Sequence, residues 1–175
     1  MAQIDIVKVE QADIPALASI GRQTFIDTFE SGNNSSDLSA YLEQAFDEAQ
    51  LLREVQTEGS EFYFAKVDGQ TAGYLKLNTG DAQTESVDGD MLEIERIYVD
   101  GSMQGIGVGK ALFEFASEIA RRKRMDAIWL GVWEENPKAI SFYERQGFRP
   151  FGVHTFTIGT DAQRDVLMRL ELSKD

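Results

Sequence analysis

The chain has 175 residues, 42% of them apolar, which supplies one substantial core and leaves too little material for a second full domain. Thirty acidic against seventeen basic residues give a net charge of −13, a field that repels nucleic-acid phosphates and attracts small cations or basic peptides; an acidic surface also simply serves solubility. With no cysteine, disulfides, thiolate metal sites and a covalent acyl-cysteine intermediate are all excluded.

Met1 to Glu10 contains no basic segment followed by an apolar run, and no stretch reaches the roughly 18 apolar residues that span a bilayer, so a cytoplasmic protein without membrane contact is expected. Ile4 to Val9 alternates as a half-buried strand does, and Asp13 stands where the N-cap of a helix running to about Phe29 belongs. Ser31 to Ser36 reads as a loop before a second helical region, Asp37 to Val55, which is one helix or two short ones. Glu61 to Val67 and Gln70 to Asn78 flank Asp68-Gly69, a pair suited to the positive φ angles of a tight hairpin. Thr79 to Asp90, with Asp81, Glu85, Asp88 and Asp90, reads as a solvated acidic loop.

Leu92 to Val99 is then a strand, Lys110 to Lys123 a helix with Leu112, Phe115, Ala116 and Ile119 at helical spacing, and Ala127 to Val132 a further apolar strand, which together make a βαβ unit. Asn136-Pro137 has the cap-then-first-residue order of a helix start, and Gly147 closes that helix. Phe148 to Ile158 and Val166 to Leu172 complete the chain as strands. One domain spanning 1–175, of mixed α/β class, is expected.

Between the strand ending at Val99 and the following helix lies Gln104-Gly105-Ile106-Gly107-Val108-Gly109-Lys110. Alternating glycines let backbone N–H groups approach an anion, and the helix N-terminus adds its positive dipole end, so a phosphate or pyrophosphate belongs here unless the segment is a plain tight turn. Gln104 replaces the first glycine of a Walker A loop and Ala111 its Ser or Thr, while Lys110 replaces the last glycine of GxGxxG; NTPase and dinucleotide readings are disfavoured.

Gln104, Gly107 and Gly109 after Ile94-Glu95-Arg96-Ile97-Tyr98-Val99 resemble the Q/R-x-x-G-x-G/A signature of the GNAT superfamily of N-acetyltransferases. Asn136-Pro137-Lys138-Ala139-Ile140-Ser141-Phe142-Tyr143 with Gly147-Phe148 is similar to that family's N-x-x-A-x-x-F-Y…G-F segment. Thr24 to Phe29, Leu92 to Tyr98 and Trp129 to Glu134 resemble, more narrowly, the PaiA-type spermidine/spermine N-acetyltransferases. The resemblance implies a mostly antiparallel sheet of about seven strands with a parallel pair at the CoA site, flanked by about four helices. It also implies acetyl-CoA as cosubstrate, held by Ile97, Tyr98, Val99, Gln104, Gly105, Ile106, Gly107, Val108, Gly109, Lys110, Asn136, Lys138 and Tyr143, and no metal.

An alkylamine with a pKa near that of lysine, about 10, must lose a proton before it attacks. The resemblance places Glu95 near the amine, acting directly or through water, with Glu93 on the same strand face competing; both also read as an exposed face paired with lysines. By the same resemblance an N–H freed by a disruption around Ile97 to Val99 stabilises the oxyanion, and Tyr143 protonates the departing thiolate, although a tyrosine at an apolar helical position is in itself more often core. Asn136 serves as helix cap, cofactor contact or both. Phe25, Phe29 and Tyr41 are candidate walls for an aliphatic amine, with Asp27 and Glu30 holding its distal charge, while the i, i+4 spacing is equally that of a helix face buried in the core, the better reading for Phe25. The single histidine, His154, reads as structural.

A small-amine substrate, preferably a polyamine, is expected, with no nucleic-acid partner and a possible homodimer. The basic run Arg121-Arg122-Lys123-Arg124 suits the negative end of its helix and the CoA 3′-phosphate. The alternatives are acetylation of protein N-termini, lysine or another small amine, and a non-catalytic acetyl-CoA sensor or regulator.

Overall fold

The computed structural model describes residues 3–30 and 35–173. In chain order these form β1 (Ile4–Lys8), α1 (Ile14–Phe29), α2 (Ser35–Ala45), α3 (Glu48–Gln56), β2 (Ser60–Val67), β3 (Gln70–Asn78), β4 (Met91–Val99), α4 (Val108–Arg122), β5 (Ala127–Trp133), α5 (Pro137–Arg145), β6 (Arg149–Ile158) and β7 (Asp161–Glu171). The strands make one seven-stranded sheet in the order β1-β2-β3-β4-β5-β7-β6. Every neighbouring pair is antiparallel except β4 and β5, whose parallel pairing requires the crossover that α4 provides. The expected mixed sheet with one parallel pair is therefore present.

Local chemistry accounts for most boundaries. Asp68 and Gly69 adopt φ of 49° and 86°, the left-handed pair that joins β2 to β3 with the right twist. The second helical region divides because Asp47 accepts a hydrogen bond from the Gln50 N–H and starts α3 afresh, which gives five helices among the described residues. Of the expected loop Ser31 to Ser36, residues 31–34 lie outside the described residues, and Ser35 and Ser36 already belong to α2. Asp13 occupies the N-cap position of α1 but spends its carboxylate on the Glu10 N–H, 2.8 Å away, closing the short 3-10 turn before the helix. β7 starts five residues earlier than its apolar run announces, because Asp161 to Asp165 is a polar stretch that pairs with β6 regardless of side-chain polarity.

The sheet is covered on both faces. One core packs α4 and α5 on Leu75, Leu77, Leu92, Ile94, Ile128 and Leu130; the other packs α1, α2 and α3 on Phe62, Phe64, Tyr74 and Trp133. Two covered faces explain why β3 from Ala72 to Asn78 and β4 from Met91 to Ile94 are buried residue after residue, the polar Lys76, Asn78 and Glu93 included. Within α4, Leu112, Ala116, Ile119 and Ala120 recur on the buried stripe, and truncating fully buried Leu112 to alanine costs about 2–5 kcal/mol. No helix among the described residues is long and apolar enough to cross a membrane.

Candidate active site

Two irregularities in β4 create the site. Toward β3 the register jumps between Lys76↔Arg96 and Leu77↔Ile94, so Glu95 has no opposite residue and forms a β-bulge. Toward β5 the ladder ends at Ile94↔Leu130, leaving Glu95 to Val99 without β5 partners. The disruption expected around Ile97 to Val99 is thus relocated: those residues pair regularly with Leu75, Tyr74 and Gly73, and their other edge is free because β5 diverges. The bulge also turns Glu95 and Arg96 to the same side, together with Glu93 and Tyr98.

Three adjoining cavities follow the parting of β4 and β5. The largest, about 490 Å³, is walled by Ile97, Tyr98, Val99, Gln104, Gly105, Gly107, Val108, Gly109, Lys110, Asn136, Lys138 and Tyr143, so most of the predicted cofactor residues come together. Ile106 stands apart from this wall with 48% of its surface exposed. At Gly105 and Gly107 φ is +84° and +96°, and the space a Cβ would fill is open at both. No side chain caps the N-terminus of α4, whose first N–H groups have no partner within the helix. Those open donors, the left-handed glycines and the cations Lys110, Lys138 and Arg145 suit a pyrophosphate. Arg145 was not foreseen; it lies two residues past the N-x-x-A-x-x-F-Y segment. Arg121 to Arg124, by contrast, lie at the far end of α4, about 22 Å from the loop, and are not placed to reach a phosphate there. Arg122 instead pairs with Glu118 at 3.1 Å.

Tyr143 lines this cavity and the next and is held from both sides. Asn136 caps α5 by accepting from the Ala139 N–H, and a left-handed Gly147 (φ 102°) ends the helix with Phe148 N–H donating to Tyr143 O and Gly147 N–H to Glu144 O. The Phe148 ring packs on Tyr143 at 5.5 Å. Burial pushes the Tyr143 phenol well above the ordinary tyrosine value, so it is protonated at neutral pH and can act as a donor.

A small passage of about 110 Å³, bounded by Glu95, Tyr98, Gly131, Tyr143 and Asp165, leads toward a third cavity of about 230 Å³ between the sheet and α1 and α2. Phe25, Phe29 and Tyr41 all line that third cavity, and Phe25 and Phe29 are also buried core. Phe25 stacks on Tyr41 at 4.9 Å, and Phe29 meets Trp133 at 4.8 Å. Asp27 and Glu30 do not reach it; Asp27 accepts from Gln23 on the outer side of α1, and Glu30 is exposed. The acidic groups that do are Glu85, Glu93, Glu95 and Asp165.

These carboxylates differ in circumstance. Burial opposes ionisation of Glu95, but Arg96 at 3.2 Å and Lys76 at 2.8 Å, with a hydrogen bond from Asn78, hold it below the ordinary carboxylate value. Glu54 closes the same cluster by pairing with Lys76 and Arg96. The strand face is therefore paired with a lysine as one expectation had it, but it is buried rather than exposed. Glu93, 3% exposed, is pushed upward by burial against the counteracting bonds donated by Asn78 Nδ2, Thr84 N–H and Thr84 Oγ.

The acidic loop after β3 is more than a solvated connection. Thr84 bonds Glu93, Gln83 accepts from the Trp129 indole, and Glu85 pairs with His154 Nδ1, so the loop folds over the third cavity. His154, read from the sequence as structural, lines that cavity. The placement of Asp165 and His154 at this cavity was not legible in the sequence: the last strand announces itself only from Val166, and nothing local shows which residues β6 and β7 turn toward β4.

Residues 23–148 match the model of the acetyltransferase (GNAT) family. The chain is 47% identical over 172 residues to an uncharacterised N-acetyltransferase of the pepI 3′ region from Lactobacillus delbrueckii subsp. lactis, covering 98% of this chain and 99% of that one. Among solved structures it is similar to a PaiA N-acetyltransferase from Thermoplasma acidophilum in complex with coenzyme A, with a TM-score of 0.77, 20% identity and coverage of 97% and 99%. It is similar also to the ribosomal-protein-S18-alanine N-acetyltransferase of Escherichia coli, with a TM-score of 0.69, 22% identity and coverage of 98% and 95%. At these identities the two structures speak for the fold alone.

Proposed function

The chain belongs to the GNAT acetyltransferase family and is an N-acetyltransferase, and we propose that it transfers acetyl from acetyl-CoA directly to a primary amine of a polyamine such as spermidine or spermine. What carries the acceptor reading is the third cavity, where aromatic walls from Phe25, Phe29 and Tyr41 meet a rim of Glu85, Glu93 and Asp165. Aromatic faces and carboxylates together suit a chain of methylene groups carrying more than one positive charge. The net charge of −13 favours approach of such a cation.

The glycine loop fits the pyrophosphate of acetyl-CoA, with the α4 N-terminus, Lys110, Lys138 and Arg145 opposing its charge. The cosubstrate supplies an acetyl group activated as a thioester. Tyr143, protonated and at the junction of the first two cavities, donates to the sulfur. Tyr98 borders all three cavities and fixes their common wall. Glu95, neutralised by Lys76 and Arg96, sets the charge of the passage and is a poor proton acceptor, because the same cations that hold it ionised lower its basicity.

Mass spectrometry after incubation with acetyl-CoA and a panel of polyamines, amino acids and peptides tests this reading. Monoacetylated spermidine or spermine is the expected product. Acetylation of a peptide alone would move the activity to protein N-termini or lysine, and no product from any amine would leave a cofactor-binding sensor.

A further inference from the structure

An alkylammonium entering the passage needs a proton acceptor that is ionised and unencumbered and that lies between the acceptor cavity and Tyr143. Glu95 is locked between two cations, and Glu93 borders the acceptor cavity but not the passage, with both oxygens engaged by Asn78 and Thr84. Asp165 meets each requirement. The β5–β7 register sets it opposite Trp133, and its carboxylate lies over Gly131, where an added Cβ would be 3.1 Å from Oδ2. The missing side chain at Gly131 therefore keeps this carboxylate open to the passage. Asp165 lines both the acceptor cavity and the passage that carries Tyr143, and among the described residues no protein group donates a hydrogen bond to its carboxylate.

We propose that Asp165 is the general base of the transfer: its carboxylate takes one proton from the acceptor ammonium, the freed nitrogen bonds the acetyl carbon, and the carbon–sulfur bond breaks as Tyr143 protonates the sulfur. The second amine proton restores the Tyr143 phenol through solvent, and Asp165 releases the first to bulk water. The proposal rests on amine acetylation at this site and not on the acceptor being a polyamine.

The surroundings of Asp165 support the assignment. Burial raises its pKa from 3.8 to about 6, with His154, across the β6–β7 ladder, pulling the other way. Glu85 pairs with that histidine; Glu95, Arg96 and Tyr98 of β4 face the group from one side, and Tyr41 of α2 and Tyr143 of α5 from the others. Asp165 is thus ionised at neutral pH and a stronger base than an exposed aspartate. Because its folded-state pKa is raised, its destabilising effect is absent below the unfolded value and fully present above about 6.

The experiment compares wild type with Asp165→Asn in steady state from about pH 5 to about 9 on spermidine and on a peptide amine, alongside coenzyme A binding and thermal unfolding. On whichever amine wild type acetylates, the variant is expected to lose kcat by about 100-fold and to lose the acid limb near pH 6, with coenzyme A affinity unchanged. It should also unfold at higher temperature than wild type at neutral pH, and at the same temperature below the unfolded pKa. Asp165→Glu should recover part of the rate. Retention of both kcat and the acid limb in Asp165→Asn, or a limb that vanishes only in Glu93→Gln, would overturn the assignment. A wild type that acetylates the peptide and not spermidine removes the polyamine reading while Asp165 is still judged on the peptide.

Discussion

Lys76 and Arg96 are cations on neighbouring strands that share the carboxylates of Glu54 and Glu95, all four side chains being less than one-fifth exposed. Removing one member leaves a buried charge under-compensated, so Lys76→Met is expected to cost about 3 kcal/mol in urea unfolding at neutral pH. A loss below about 1 kcal/mol would show the cluster to be water-screened. Because Glu95 is held below its ordinary value, its contribution to stability is present above the unfolded-state pKa of about 4.3 and is lost as the pH falls below it. Tyr143 is the complementary case, a buried phenol whose raised pKa keeps its proton in place. Tyr143→Phe removes the donor while keeping the ring that packs on Phe148, so kcat should fall by about 10²-fold with little change in unfolding temperature. Unchanged kcat would move the protonation of the thiolate to solvent.

Among the elements, α4 shows how a helix start is left open to an anion. Its stripe of Leu112, Ala116 and Ile119 anchors it on β3 and β4, and its N-terminus is left without a side-chain cap, preceded by two left-handed glycines. An alanine at position 107 must hold a φ that costs about 1–2 kcal/mol, and its methyl group enters the open space beside the loop. Gly107→Ala should therefore weaken coenzyme A binding by about tenfold, measured by calorimetry; unchanged affinity would place the pyrophosphate elsewhere. The β4 bulge is a device of another kind. It inserts Glu95 without an opposite residue, so Glu95 and Arg96 both turn toward the acceptor cavity and the alternation that a reader of the strand assumes is broken there.

At the scale of the whole molecule the charge of −13 acts on encounter rather than on fold. The KM for a cationic amine should rise several-fold when ionic strength increases from about 0.02 to about 0.3 M, as the screening length falls below about 10 Å, while kcat changes little. A flat KM would confine the electrostatics of recognition to the cavity itself. Much of the molecule is legible residue by residue: the Asp68-Gly69 hairpin, the glycine loop between β4 and α4, the Asn136-Pro137 helix start and the Gly147 stop are local signals, because each depends on backbone conformations that only neighbouring residues dictate. That locality made the parallel pair and most of the wall of the largest of the three cavities readable from the chain. The cavity between the sheet and α1 and α2 is different, since α1, α2, the loop after β3, β6 and β7 each contribute two side chains to it and β4 contributes four. Where Asp165 points follows from the β5–β7 register and the gap at Gly131, and what Glu95 can do follows from Lys76 and Glu54; both are contacts between segments far apart in sequence, which only the packed sheet brings within reach.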